Sequence, residues 1–130
     1  VSFFSLSAYL LFDRYQEPPA QMADVLYERL GTDFVEIERY YGQVISLKRQ
    51  ELEGYSSEYP GISEIVDTDL NTLNEEYKLL EQEFIISNNQ TVVDAMIENL
   101  RTRIDILSSQ IEHLKKLNTT THEYEQNIEI

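Results

Sequence analysis

Residues 66–114, VDTDLNTLNEEYKLLEQEFIISNNQTVVDAMIENLRTRIDILSSQIEHL, decide how this chain folds. Val66, Leu70, Leu73, Tyr77, Leu80 and Phe84 recur at spacings of 4, 3, 4, 3 and 4. Val93, Ile97, Leu100, Ile104, Leu107, Ile111 and Leu114 continue with 4, 3, 4, 3, 4 and 3. Alternating steps of three and four keep side chains on one face of an α-helix and scatter them over both faces of a strand. Ile86 to Thr91, ISNNQT, has the polarity and length of a tight helix connection, with Thr91 and Asp94 in the form of a capping pair.

The two stripes mirror one another about a point between Asn88 and Asn89. One antiparallel register pairs Phe84 with Val93, Leu80 with Ile97, Tyr77 with Leu100, Leu73 with Ile104, Leu70 with Leu107 and Val66 with Ile111. Lettering Leu70, Tyr77 and Phe84 as heptad a makes Val93, Leu100 and Leu107 heptad d, the pairing that antiparallel helices use. Glu76 and Arg103 then flank the seam at g positions, where an exposed ion pair contributes about 0–1 kcal/mol. Burial of the large side chains, at about 1.5–3 kcal/mol each before entropy, dominates.

Upstream, residues 54–61, GYSSEYPG, cluster turn formers and separate the hairpin from a preceding helix. That helix is expected to start after Thr32 as N-cap and to run to about Gly54. Its stripe is Leu30, Phe34, Ile37, Tyr41 and Val44, widened by Tyr40 and Leu47. A short helix over 20–30 would use Met22, Val25, Leu26 and Leu30, with Gly31 in a left-handed C′ conformation. Pro18 and Pro19 bar any helix from continuing through them. The fold expected is all-α: an antiparallel three-helix bundle with a long C-terminal hairpin, preceded by the end of a transmembrane helix.

That last element rests on residues 1–12, VSFFSLSAYLLF, an apolar run without a charge. As a helix it covers roughly 18 Å of the about 30 Å of a bilayer core. It has no basic residue ahead and no small-residue cleavage site behind, a poor fit to a signal peptide. The competing reading is a buried element of a soluble core. Arg14 is the single cation between Asp13 and Glu17, whereas cytoplasmic flanks carry excess Lys and Arg, so the remainder is expected outside the cytoplasm. The expected organisation is 1–12 as the end of the span, 13–31 as linker with the short helix, 32–118 as the bundle and 119–130 as a flexible tail.

With 24 Asp and Glu against 10 Lys and Arg, the 130 residues carry a formal net charge of −14, which opposes binding to nucleic acid. The absence of Cys removes disulfides and thiolate chemistry. His113 fits a solvated helix C-terminus with Lys115 and Lys116, and His122 lies in the tail, so neither reads as a metal ligand. Glu75, Glu76, Glu81 and Glu83 read as a solvated acidic face, with no Asp or Glu on an expected core stripe to have its pKa tuned. No nucleophile elbow or phosphate-binding loop is present. Asn89-Gln90-Thr91 and Asn118-Thr119-Thr120 match the three-residue glycosylation pattern, although the turn explains Asn89. No catalytic, cofactor-binding or metal residue is assigned, and no cofactor or small-molecule substrate is expected.

Residues 35–41, VEIERYY, and 93–100, VDAMIENL, joined through the Asn88-Asn89 turn, resemble the extracytoplasmic portion of bacterial single-pass anti-sigma-factor-like membrane proteins over roughly 32–118. The resemblance implies an absent cytoplasmic segment that holds a sigma factor and a helical domain in the periplasm, anchored in the inner membrane. On this reading the chain is a non-enzymatic regulator domain acting through a protein partner or self-association and the membrane. Tyr40, Tyr41, Tyr55 and Tyr59 are its candidate contact residues. The alternative is a structural coiled-coil oligomerisation module without a signalling role.

Overall fold

A computed structural model describes residues 19–128 of the chain, with side chains from 24 onward. Three helices follow one another: α1, Pro19–Glu53, α2, Ile62–Ser87, and α3, Gln90–Ile128. They pack against each other, with no strand among the described residues. The run expected to end a membrane span lies outside the described residues. Among those described, no helix is long and apolar enough to cross a membrane.

The mirrored seams come together in the core. Phe84 and Val93 share one buried cluster with Tyr77 and Leu100. Val66 and Ile111 share a second with Leu70 and Leu107. Leu80 and Ile97 lean on the first cluster half-buried. α1 closes both: Leu26 and Phe34 enter the first cluster, Leu52 the second, and Ile45 packs against both. The start of α1 therefore lies by the end of α2 and the start of α3, the arrangement of an up-down-up bundle. The Arg49–Asp67 pair at 2.8 Å ties α1 to α2, and Lys115–Glu51 at 3.0 Å ties α3 to α1.

Local chemistry accounts for the breaks. Asn88 adopts a left-handed φ of 49° and donates its N–H to the Phe84 carbonyl at 2.8 Å, closing α2. The cap of α3 is Asn89, not the expected Thr91: Asn89 Oδ1 accepts the Thr91 N–H at 3.0 Å. The longer amide side chain, one residue before the helix, reaches the second helical N–H directly. Gly31, at φ 83° and ψ 171°, interrupts α1 where a helix end was expected. That backbone region belongs to glycine almost alone.

The short helix expected over 20–30 is present, joined to the rest of α1, and its Leu26 is 2 % exposed in the first cluster. Two expectations change. α3 runs on to Ile128 through the stretch expected as a flexible tail, with Thr119, Thr120 and Thr121 hydroxyls donating to the carbonyls four residues earlier. The core stripe of α1 is rotated from the expected one. Leu26, Leu30, Phe34, Tyr41, Ile45 and Leu52 face inward, while Leu47 is 66 % exposed and Ile37 lies at the edge. The rotation brings Glu38 onto the inner face between Phe34 and Tyr41, which the hydroxyls described below make tolerable.

Candidate functional site

Two features stand out beyond the apolar core: a polar layer joining all three helices, and an aromatic groove between α1 and α3.

The polar layer is built around Glu38 of α1. Its Oε1 accepts the Tyr27 hydroxyl at 2.9 Å and its Oε2 accepts the Tyr77 hydroxyl of α2 at 2.7 Å. Tyr77 is a core residue whose ring is buried and whose hydroxyl needs a partner, the usual requirement for a buried phenol. From α3, the Arg103 guanidinium lies 5.3 Å from the Tyr77 ring centre, a cation–π distance. Arg103 also donates through Nε to Asn99 Oδ1 at 3.0 Å and through Nη2 to the Leu73 carbonyl at 3.4 Å. Asn99, the one buried polar side chain among the described residues, donates through Nδ2 to the same carbonyl at 2.9 Å. No buried side-chain nitrogen or oxygen among the described residues lacks a hydrogen bond. The network thus avoids the cost of an orphaned polar group, about 1–3 kcal/mol each.

Charge in the layer is less balanced than the bonding. Half-burial, and then the neighbouring Glu38 carboxylate, push the Glu81 carboxyl up to about 7 from the ordinary 4.5, against the opposing pull of Lys78 and Arg103. The bond to Glu38 and partial burial push the Tyr27 phenol to about 12. Burial first, and then the same carboxylate, raise the Tyr77 phenol. Burial lowers the Arg103 guanidinium, offset by Tyr77, Glu81 and Glu38. Both phenolic protons are directed at Glu38.

The reading of Glu81 as part of a solvated acidic face is therefore corrected: Glu81 is half-buried and perturbed. The expected Glu76–Arg103 flanking pair also gives way, because Arg103 is drawn over Tyr77 and onto Asn99 and Leu73. A Tyr at a core a position is the one sequence signal that foreshadowed a polar partner here.

The groove, about 570 Å³, is lined by Asp33, Glu36, Ile37, Tyr40 and Tyr41 of α1 and Ile97 and Arg101 of α3. It shares Asp33, Ile37 and Ile97 with a smaller hollow reaching Leu30, Phe34 and Phe84. Tyr40 and Tyr41 meet edge to face, ring centres 5.6 Å apart at 71°. Arg101 Nε donates to the Tyr41 hydroxyl at 3.0 Å, a bond that raises the guanidinium pKa, and its Nη1 lies 3.8 Å from Glu98. Tyr40 is 63 % exposed.

The fold divides the four tyrosines singled out into two separate pairs, of which only Tyr40 and Tyr41 line the groove. Tyr55 and Tyr59 pack half-buried against the second cluster, toward the other end of α1. His113 and His122 are both exposed on α3. Among the described residues, no three His, Asp or Glu side chains converge as metal ligands do. No family model, no curated protein and no solved structure matches this chain.

Proposed function

We propose that the chain is a non-enzymatic helical domain that acts by docking a protein partner in the α1–α3 groove, as the outer part of a membrane-anchored, anti-sigma-factor-like regulator. The observation that carries the docking reading is the Tyr40–Tyr41 pair. Together with Ile37 it forms an exposed aromatic and aliphatic floor bordered by Asp33, Glu36 and Arg101. Large amphipathic rings fixed by neighbours, with charges at the rim, are the usual anatomy of a protein-binding hot spot. The membrane and regulatory parts are supported by the apolar run over 1–12 and by the resemblance over 32–118.

The test uses a photo-crosslinking side chain at Tyr40 and, as control, at Ile65, which is 62 % exposed on α2. In cells producing the native protein, position 40 should give a discrete adduct with one partner and position 65 none. Tyr40→Ala should abolish an adduct formed from Ile37 while changing stability by no more than about 0.5 kcal/mol, as is usual for an exposed side chain. Equal labelling from both positions, or none from either, rejects the groove. Protease added to spheroplasts should cleave the domain from outside, and protection would reject the periplasmic placement.

A further inference from the structure

Charge is distributed unevenly along the α1–α3 groove. Asp33 and Glu36 are exposed on its wall, and neither joins an ion pair among the described residues. The cations nearest to them are engaged elsewhere. Arg29, one turn before Asp33, donates to the Ile85 carbonyl. Arg101 donates to the Tyr41 hydroxyl at 3.0 Å and lies 3.8 Å from Glu98. Arg101 also stands at the far end of the groove, because Asp33 is two helical turns, about 12 Å along α1, from Tyr41. That exceeds the about 8 Å over which exposed charges are felt in physiological salt. Asp33 has a local role too, since a carboxylate in the first turn after the Gly31 break meets the positive end of the helix dipole. Glu36 lies past that turn and has none. The Asp33 end thus carries uncompensated negative charge beside Ile37 and the Tyr40 ring, which is 63 % exposed.

We propose that this end of the groove takes a basic segment of the partner protein: a lysine or arginine whose charged head lies between Asp33 and Glu36 and whose stem runs over Tyr40 and Ile37. The inference rests on the docking reading above and adds to it the sign of the partner. Lysine and arginine side chains join an apolar stem to a cationic head, the combination that this wall of carboxylates, ring and aliphatic carbon complements. An exposed tyrosine ring attracts a cation held within about 6 Å of its centre. At long range the net charge of −14 draws basic segments toward the chain and repels acidic ones. Complementarity of this kind governs partner choice and association rate more than tightness. An isolated basic peptide should therefore bind weakly, with a Kd on the order of 0.1 mM.

The test uses the full chain with a short fluorescein-labelled peptide of lysine and leucine, and the same peptide with glutamate in place of lysine, followed by fluorescence anisotropy in physiological salt. The lysine peptide should bind and the glutamate peptide should not. Asp33→Asn with Glu36→Gln should weaken the lysine peptide roughly five- to tenfold, and Glu36→Gln alone, which leaves the first turn after Gly31 intact, roughly threefold. Asp69→Asn with Glu76→Gln removes equal charge from exposed positions on α2 and should weaken it by less than about twofold. Tyr40→Phe keeps the ring and should stay within about twofold, whereas Tyr40→Ala should cost roughly fivefold. Equal losses from the two charge pairs would reduce the effect to general acidity and overturn the proposal. So would tighter binding of the glutamate peptide, which would assign the groove to Arg101, or no binding of the lysine peptide up to millimolar chain. If Tyr40→Ala weakens binding while the carboxylate substitutions do not, the basic partner is rejected and the groove stands. If neither has any effect, both are rejected.

Discussion

Glu81 is a carboxyl held partly out of water beside Glu38, with Tyr27, Tyr77, Lys78 and Arg103 also facing it across the three helices. Its folded pKa of about 7 exceeds the unfolded 4.5, so the folded state binds the proton more tightly. Between those two values the folded chain carries a proton that the unfolded chain has lost. Stability from this group is therefore complete below about pH 4.5 and falls as pH rises through 7. Glu81→Gln should stabilise the protein at pH 8 by about 1–2 kcal/mol, discounted for the side chain's residual access to solvent, and by almost nothing at pH 4. Urea unfolding of both proteins at the two pH values checks it, and an equal effect at both would contradict the assignment. Little of this was legible in the sequence. Glu81 is perturbed by Glu38, a residue of another helix, and Glu38 is in turn placed by its bond to Tyr77 of α2, a partner 39 residues away that no periodicity displays.

At the scale of elements, the hairpin was legible almost completely. Its two stripes specify each other, and residues such as Phe84, Leu100 and Leu107 are buried as their spacing demands. α1 was harder because a third helix packs against two neighbours and needs a wider, less regular inner face. Its true stripe admits Glu38 and drops Leu47. α3 shows the same effect on its other flank, where Val92, Met96 and Asn99 are buried one residue round from the seam. Thr119 to Thr121, read as loose tail, are exposed as expected but helical. The glycine break in α1 was foreseen, and it supplies a sharp test. No atom lies within 4 Å of where a Cβ at Gly31 would sit, so any penalty there is purely one of backbone conformation. Gly31→Ala should cost about 1–3 kcal/mol by thermal or urea unfolding. A neutral result would mean that α1 can straighten through residue 31.

Among the described residues there are two buried clusters, with Ile45 packed against both. Leu107 of the second cluster is fully enclosed, at 0 % exposure. Leu107→Ala should cost about 2–5 kcal/mol. Because the clusters share an element on all three helices, helix content by circular dichroism and tyrosine fluorescence, from tyrosines near both clusters, should fall in one transition. Two separated transitions would show that the clusters fold independently.

The non-helical dihedrals of Gly31 give the domain a joint. Ahead of it, the segment from Pro19 to Leu30 is fastened by Leu26, by Arg29 on the Ile85 carbonyl and by Tyr27 on Glu38. A pull arriving through the chain before residue 19 is resisted first at those three fastenings. If they yield, the segment swings about Gly31, strips one phenol from Glu38 and uncovers Phe34, while the cluster around Leu107 stays shut. Mechanical load would thereby be turned into newly exposed surface at one end of the bundle alone.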